Sequence, residues 1–293
     1  MPQTRRGRVA LDGPPSLVES FRAAFPTIEH YLTSDEREVG VRPALAFLEA
    51  YALPPVVSGV DLPGSLVLLS TGCPDIDAAL GGVLYGGRLV ELTGESGSGK
   101  TQICHMVAAN TAKNTPGGRV IYIDTSNTFS PARLTQVAAQ ADQRTVLSNV
   151  TVFRPHDMSD VLGFVDELGV EMSQTHPSNQ RPVLIILDSV PAVVSPVLGG
   201  VGPHRIGYTL MVALGRALKS LALDFGVVVL TTNHEVRTSE QAKPALGEHW
   251  TNQTTVRVRL VKGRNNTIHA TLTRASDRPV GVERTFTLPE SLN

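Results

Sequence analysis

The stretch Gly94-Glu95-Ser96-Gly97-Ser98-Gly99-Lys100-Thr101-Gln102 brings together the groups that a polyphosphate needs, at the spacing it needs them. Glycines let successive backbone N–H groups turn inward as an anion nest, and Lys100 adds a charge able to reach the β- and γ-phosphates. The Thr101 hydroxyl is a hard oxygen ligand suited to Mg2+. A loop of this kind works between a strand and a helix, because the N-terminal end of the new helix then points its positive dipole at the same anion. Both flanks are legible. The apolar run Arg88-Leu89-Val90-Glu91-Leu92 precedes the loop, and a helical pattern from Gly99 to about Lys113 follows it. A Gly/Ser-rich turn that merely joins two elements is the plain alternative, but it would not need this lysine and threonine. The stretch predicts a nucleoside triphosphate site.

A second half of that site is expected at the ends of other strands. Asp188 follows the buried-type run Leu184-Ile185-Ile186-Leu187 and is placed to hold Mg2+, directly or through water, opposite Lys100. Thr232-Asn233-His234 closes another apolar run, so Asn233 and His234 are expected to face the γ-phosphate. For His234 a hydrogen-bonded structural role is an equal reading.

The elements that must position these groups alternate in type. Strand-like runs at Arg119–Asp124, Asn149–Phe153, Val183–Asp188 and Gly226–Thr231 are separated by helical patterns from about Pro131, Asp157 to Ser173 and Ile206 to Asp224. Short apolar strands between amphipathic helices imply an α/β fold, a mainly parallel sheet with helices on both faces. Beyond Glu248 the pattern becomes alternating, at Thr255–Leu260 and Thr267–Leu272, which predicts a hairpin forming an antiparallel C-terminal edge. Residues 1–52 read as a small helical domain, with Leu17, Val18, Phe21 and Phe25 in one helix and Leu45, Phe47, Leu48 and Tyr51 in a second. Residues 53–66, rich in proline and glycine, read as an inter-domain linker, and 67–293 as the nucleotide-binding core.

Composition narrows the setting. A chain of 293 residues suits one large domain with a small accessory one. Cys73 and Cys104 stand far apart, in no metal-ligand spacing, which fits a reducing compartment rather than a disulfide scaffold. No apolar run approaches a membrane span, and Met1 to Gly13 lacks the apolar centre of a secretory signal, so no membrane association is expected. With 26 Lys+Arg against 27 Asp+Glu the net charge is −1, so any nucleic-acid contact must come from local loops or from partner subunits. Arg5, Arg6 and Arg8 form the one dense basic patch, and a solvated terminus explains them at least as well as a binding arm.

At this point the residues resemble a family. The phosphate loop, Tyr122-Ile123-Asp124-Thr125 with Phe129 and Arg133-Leu134, Leu187-Asp188-Ser189, Thr232-Asn233-His234 and Lys262-Gly263-Arg264 stand in the order seen in RecA-type recombinases. Upstream, Leu69-Ser70-Thr71-Gly72 and Asp77-Ala78-Ala79-Leu80-Gly81-Gly82 fit the same order. The resemblance covers about residues 53 to 290. It is closest to the eukaryotic recombinase paralogues and, through Asp188-Ser189-Val190 with Ala192-Val193-Val194-Ser195-Pro196, Leu198-Gly199-Gly200 and Lys243-Pro244-Ala245-Leu246-Gly247, to the D-type paralogue. It implies a RecA-like ATPase core, ATP and Mg2+ as cofactors, an N-terminal helical domain, a nuclear location, and work in homologous-recombination DNA repair within a hetero-oligomer of recombinase paralogues.

The resemblance also implies two loops facing DNA, here about Pro196 to Arg205 and Glu235 to Gly247. Their basic groups are His204, Arg205, Arg237 and Lys243, opposed by Glu235 and Glu240, too few for tight DNA binding by this subunit alone. Val56, Val57, Val60 and Leu62 are candidates for a linker strand that docks on the next subunit. Phe21-Arg22-Ala23-Ala24 matches the Phe-x-x-Ala polymerisation pattern, but within a predicted helix, where core packing is the better reading. Trp250 is open between half-buried packing and an interface anchor. The informative departure is Asp124-Thr125-Ser126. Filament-forming relatives read Asp-Thr-Glu, and that glutamate activates the attacking water. A serine hydroxyl lacks the basicity to take its proton, so hydrolysis is expected to be weak. An autonomous, filament-forming DNA-dependent ATPase is the rival reading, and a small-molecule kinase the third, for which no lid or substrate acid is visible.

Overall fold

The computed structural model describes residues 67–82, 84–115, 118–137, 143–174, 181–198, 205–237 and 242–288; for Arg205, Ile206, Arg237, Ala242 and Lys243 it describes the backbone alone. The helical domain over 1–52, the linker over 53–66 with Val56, Val57, Val60 and Leu62, and the loop residue His204 lie outside the described residues.

Two short strands, β1 (Leu68–Leu69) and β2 (Leu84–Tyr85), pair antiparallel around helix α1 (Pro74–Ala79). The main sheet then begins with β3 (Arg88–Gly94), α2 (Lys100–Asn114), β4 (Arg119–Asp124), α3 (Pro131–Val137), α4 (Gln143–Ser148) and β5 (Val150–Phe153). It continues through α5 (Met158–Gln174), β6 (Pro182–Asp188), α6 (Val190–Leu198), α7 (Arg205–Phe225) and β7 (Val228–Arg237). It closes with β8 (Ala242–Pro244), α8 (Gly247–Thr251), β9 (Val256–Lys262), β10 (Thr267–Arg274) and β11 (Glu283–Thr287). The strand order is β11-β10-β9-β3-β7-β6-β4-β5, with β8 attached to β7. From β9 to β5 every neighbour runs parallel, while β9, β10 and β11 are antiparallel. This is the mainly parallel RecA-type core with an antiparallel C-terminal edge.

The two-residue period of the strands sorts the core into two layers. Val90, Leu92, Tyr122 and Ile186 face α2, whose residues from Ile103 to Ala109 are buried in an unbroken run. Leu89, Ile121, Ile123, Ile185 and Leu187 face the other way, onto α5, α6 and α7. A helix buried on nearly all sides loses its amphipathic signature, which is why α2 is legible from its loop and not from its periodicity. The carboxyl ends of β3, β7, β6 and β4 converge at one side of the sheet, the place where open α/β sheets hold ligands.

Three expectations are corrected. The predicted hairpin is β9–β10, but the edge is a further strand, β11, whose single buried side chain, Phe286, gives too little alternation to read. The first loop does not begin at Pro196, which lies inside α6, and Arg205 opens α7. The second loop is largely a β-hairpin: β7 runs on to Arg237 and returns as β8, pairing Glu235 with Pro244 and Val236 with Lys243. Arg237 and Lys243 therefore sit on hairpin strands.

The layer behind β3 contains a polar knot. Glu91, fully buried, accepts hydrogen bonds from Asn233 Nδ2 and Trp250 Nε1, both at 2.8 Å, and pairs with Arg257 Nε at 2.5 Å. A buried carboxylate is tolerable only when its lone pairs and charge are met, and here one cation and two neutral donors meet them. Trp250 is fully buried, neither half-buried nor an interface anchor; its indole ties α8 to the sheet. We predict that Trp250→Phe, which keeps an aromatic ring but removes the donor and part of the buried volume, lowers the unfolding free energy by about 2 kcal/mol or more. Urea unfolding followed by far-UV circular dichroism tests this, and an unchanged midpoint would show that the indole N–H carries no weight.

Candidate functional site

At the end of β3 the chain makes a turn that admits only glycine. Gly94 has φ 155, and a Cβ there would lie 2.2 Å from Leu260 O and 2.6 Å from Ser98 Oγ. Gly99 caps α2 with φ 90, where a Cβ would press on Leu288 at 2.9 Å. Glu95, Ser96 and Gly97 form an exposed tip, while Ser98, Gly99 and Lys100 are buried. Lys100 Nζ donates to Gly94 O at 2.8 Å, Glu95 O at 2.7 Å and Ser98 Oγ at 3.2 Å. Gly94 and Glu95 thus hold the lysine with their carbonyls, and residues 96 to 102 line a cleft of about 890 Å³. Burial lowers the Lys100 pKa, and the negative charges of Asp188 and Glu235 oppose that shift.

Across the cleft, Asp188 ends β6 beside Asp124 of β4 in direct register. Three hydroxyls converge on its carboxylate: Thr101 Oγ1 donates to Oδ2 at 2.8 Å, Tyr122 Oη to Oδ2 at 2.9 Å, and Thr232 Oγ1 to Oδ1 at 2.5 Å. All three donors are neutral, and among the described residues no cation forms an ion pair with Asp188. A buried carboxylate met only by neutral hydroxyl donors, next to a threonine oxygen, is the donor set of a hard divalent cation. The residues present therefore fit Mg2+ held by Thr101 and Asp188, with a nucleotide's phosphates on the nest and Lys100. Burial pushes the Tyr122 phenol well above its usual pKa, with the negative charges nearby adding to the shift, so it remains a donor.

β4 and β6 are zipped together at the cleft. Thr125 N donates to Asp188 O at 3.0 Å, Thr125 Oγ1 to Ser189 O at 2.7 Å, and Ser189 N to Thr125 Oγ1 at 2.7 Å. Asp124 does not reach the cleft. It is buried and accepts the backbone N–H groups of Thr128 and Phe129, folding the chain after β4 into a tight turn. That turn presents Ser126 at the exposed rim, its Oγ 3.4 Å from Ser189 Oγ. Arg133, on α3, lines the same wall.

The sensor expectation divides. Thr232, Asn233 and His234 lie within β7, not at its end, so alternate residues face opposite layers. Thr232 and His234 line the cleft, whereas Asn233 is buried behind the sheet on Glu91. Asn233 is thus a member of the polar knot rather than of the cleft wall, which Thr232 and His234 line on either side of it in sequence. Burial lowers the His234 pKa, and Lys100 adds to the shift against Asp188, favouring the neutral imidazole. Glu235 is tied by Thr93 Oγ1 at 3.1 Å and by both Arg259 Nε at 2.8 Å and Nη2 at 3.0 Å. The side chains of the DNA-loop candidates Arg205, Arg237 and Lys243 are outside the described part.

Sequence reasoning quoted Tyr122, Thr232 and Lys262 within motifs but gave none of them a role of its own, and it missed the cleft-lining residues Asn266, Ile268 and Leu288. A signal for Tyr122 exists: it lies two residues before Asp124, and so on the sheet face that carries Asp188.

A family model described as Rad51 matches residues 64–290. Over 198 residues the chain is 38% identical to the DNA repair protein RAD51 homolog 4 of Bos taurus, covering 65% of this chain and 60% of that protein. The protein of the same name from Mus musculus is also 38% identical over 198 residues, covering 65% and 59%. The DNA repair protein RAD51 of Saccharomyces cerevisiae is 32% identical over 213 residues, covering 68% of this chain and 52% of that protein. The chain thus spans about 60% of the length of the two RAD51 homolog 4 relatives.

Proposed function

This chain belongs to the Rad51 family as a recombinase paralogue, and on that premise we propose that it is an ATP-binding subunit of a hetero-oligomer acting in homologous-recombination DNA repair. ATP and Mg2+ gate its assembly rather than drive a motor, and the nucleus is its place of work. The carrying observation is the pairing of a complete phosphate loop and metal acid with a serine at the water-activating position. Lys100, Thr101 and Asp188 hold the nucleotide and its cation, while Thr232 and His234 stand where the γ-phosphate ends. When bound, Mg2+ neutralises phosphate charge; for the remaining task, removing a proton from water, the described residues of the Ser126 wall offer no carboxylate beyond Asp188, which is already committed to the cation.

A ligand that touches two subunits at once stabilises their contact, so ATP held between this core and its neighbour favours the complex. The linker residues Val56, Val57, Val60 and Leu62 are the proposed docking strand, and other recombinase paralogues the partners. DNA is met mainly through the complex, with His204, Arg205, Arg237 and Lys243 as this subunit's own contribution.

The test is ATP binding and turnover on the isolated chain, with and without single-stranded DNA. Binding with turnover near background, unmoved by DNA, is the expected result. Strong DNA-stimulated turnover would replace this reading with that of an autonomous DNA-dependent ATPase.

A further inference from the structure

We infer that Tyr122 is a positioning residue of the metal site, holding the Asp188 carboxylate in its ligating orientation from behind. This rests on the nucleotide reading above. Of the three hydroxyls on Asp188, those of Thr101 and Thr232 stand in the cleft wall, where they also meet the ligand side. Thr101 in particular is itself a candidate ligand, so its oxygen serves two partners at once. Tyr122 does not line the cleft. It reaches Asp188 Oδ2 from the buried layer, over 2.9 Å, and has no other hydrogen-bond partner described.

The ring is held on both sides. His105 stacks on it with centroids 5.6 Å apart, and Phe129 meets it edge-on at 4.8 Å. Burial lowers the His105 pKa, so its ring is neutral and adds no charge beside Asp188. The phenol is thus a rigid donor on a rigid strand, while the two threonine hydroxyls are short rotors. Outer-shell donors of this kind orient a ligand without touching the metal, and losing one typically weakens metal affinity about 10–100-fold. The ring is a positioning device rather than a catalytic one.

The variant Tyr122→Phe keeps the ring and removes only the hydroxyl. In the full chain, Mg2+ is titrated against binding of a fluorescent ATP analogue. The half-saturating Mg2+ concentration should rise about tenfold, with metal-free analogue binding close to wild type and the thermal midpoint lowered only by what one buried hydrogen bond contributes. Phe129→Leu loosens one side of the ring but keeps the phenol donor, and should raise the Mg2+ requirement clearly less than Tyr122→Phe does. An unchanged requirement in Tyr122→Phe, or an equal rise in both variants, would overturn the inference. If the wild-type chain itself showed no Mg2+-dependent binding, the nucleotide reading would fall first, and this inference with it.

Discussion

Replacing Lys100 with alanine should weaken binding of a fluorescent ATP analogue by about 10²–10³-fold while leaving the fold as stable as before, or more so. The loss follows from what the ammonium does: hydrogen bonds between charged partners contribute about 1.5–3 kcal/mol each, and this one is partly desolvated. The gain in stability follows from the sign of its pKa shift. Burial lowers the Lys100 pKa below its ordinary 10.5, so the charged form is disfavoured by folding. The native chain then sheds the proton before the unfolded one does, and stability from this group rises with pH between the lowered value and 10.5. Lys100→Ala removes that rise. A residue that costs stability and supplies affinity is the mark of a binding site, whereas a structural lysine would show the reverse. Wild-type affinity in the variant would remove Lys100, and the phosphate loop with it, from the site.

What could be read in advance divides along a physical line. The phosphate loop and its flanking strand and helix were legible because the requirement is local: Gly94 must be glycine for lack of space, and the lysine follows at fixed spacing. The place of Asp188 at the end of a buried strand was legible because four consecutive aliphatics, Leu184 to Leu187, lead straight into it. Asn233 was misplaced because the strand end was set too early, and in a strand an error of position exchanges the two faces. Trp250 and Glu91 could not be matched, since their contact joins positions 159 residues apart and depends on β3 lying between β7 and β9. The same holds for Tyr122 and Asp188, separated by 66 residues and joined across the β4–β6 register. Strand β11 escaped for a different reason, having one buried side chain to announce it.

Placing a carboxylate where the resemblance to filament-forming recombinases leads one to expect a glutamate is the second large expected effect. In Ser126→Glu, turnover should rise by about 10²-fold or more, within the range a positioned general base contributes. The local structure can receive it. Ser126 is exposed at the cleft rim, so the longer side chain displaces water rather than packed atoms. The turn that carries it is fixed independently, by Asp124 accepting from Thr128 N at 2.9 Å and Phe129 N at 3.1 Å. Like-charge repulsion from Asp188 is the cost, and Arg133 on the same wall partly offsets it. The new carboxylate would accept the proton of the attacking water as the β–γ bridge breaks, a task the serine hydroxyl cannot perform. Single-turnover measurements separate this from altered binding: the chemical step should accelerate while analogue affinity stays within a few-fold of wild type. If affinity holds and the rate does not move, the missing base is not what limits hydrolysis. Another limiting group, such as a cation that stabilises the transition state, would then have to come from the neighbouring subunit, and only the assembled complex could be expected to turn ATP over.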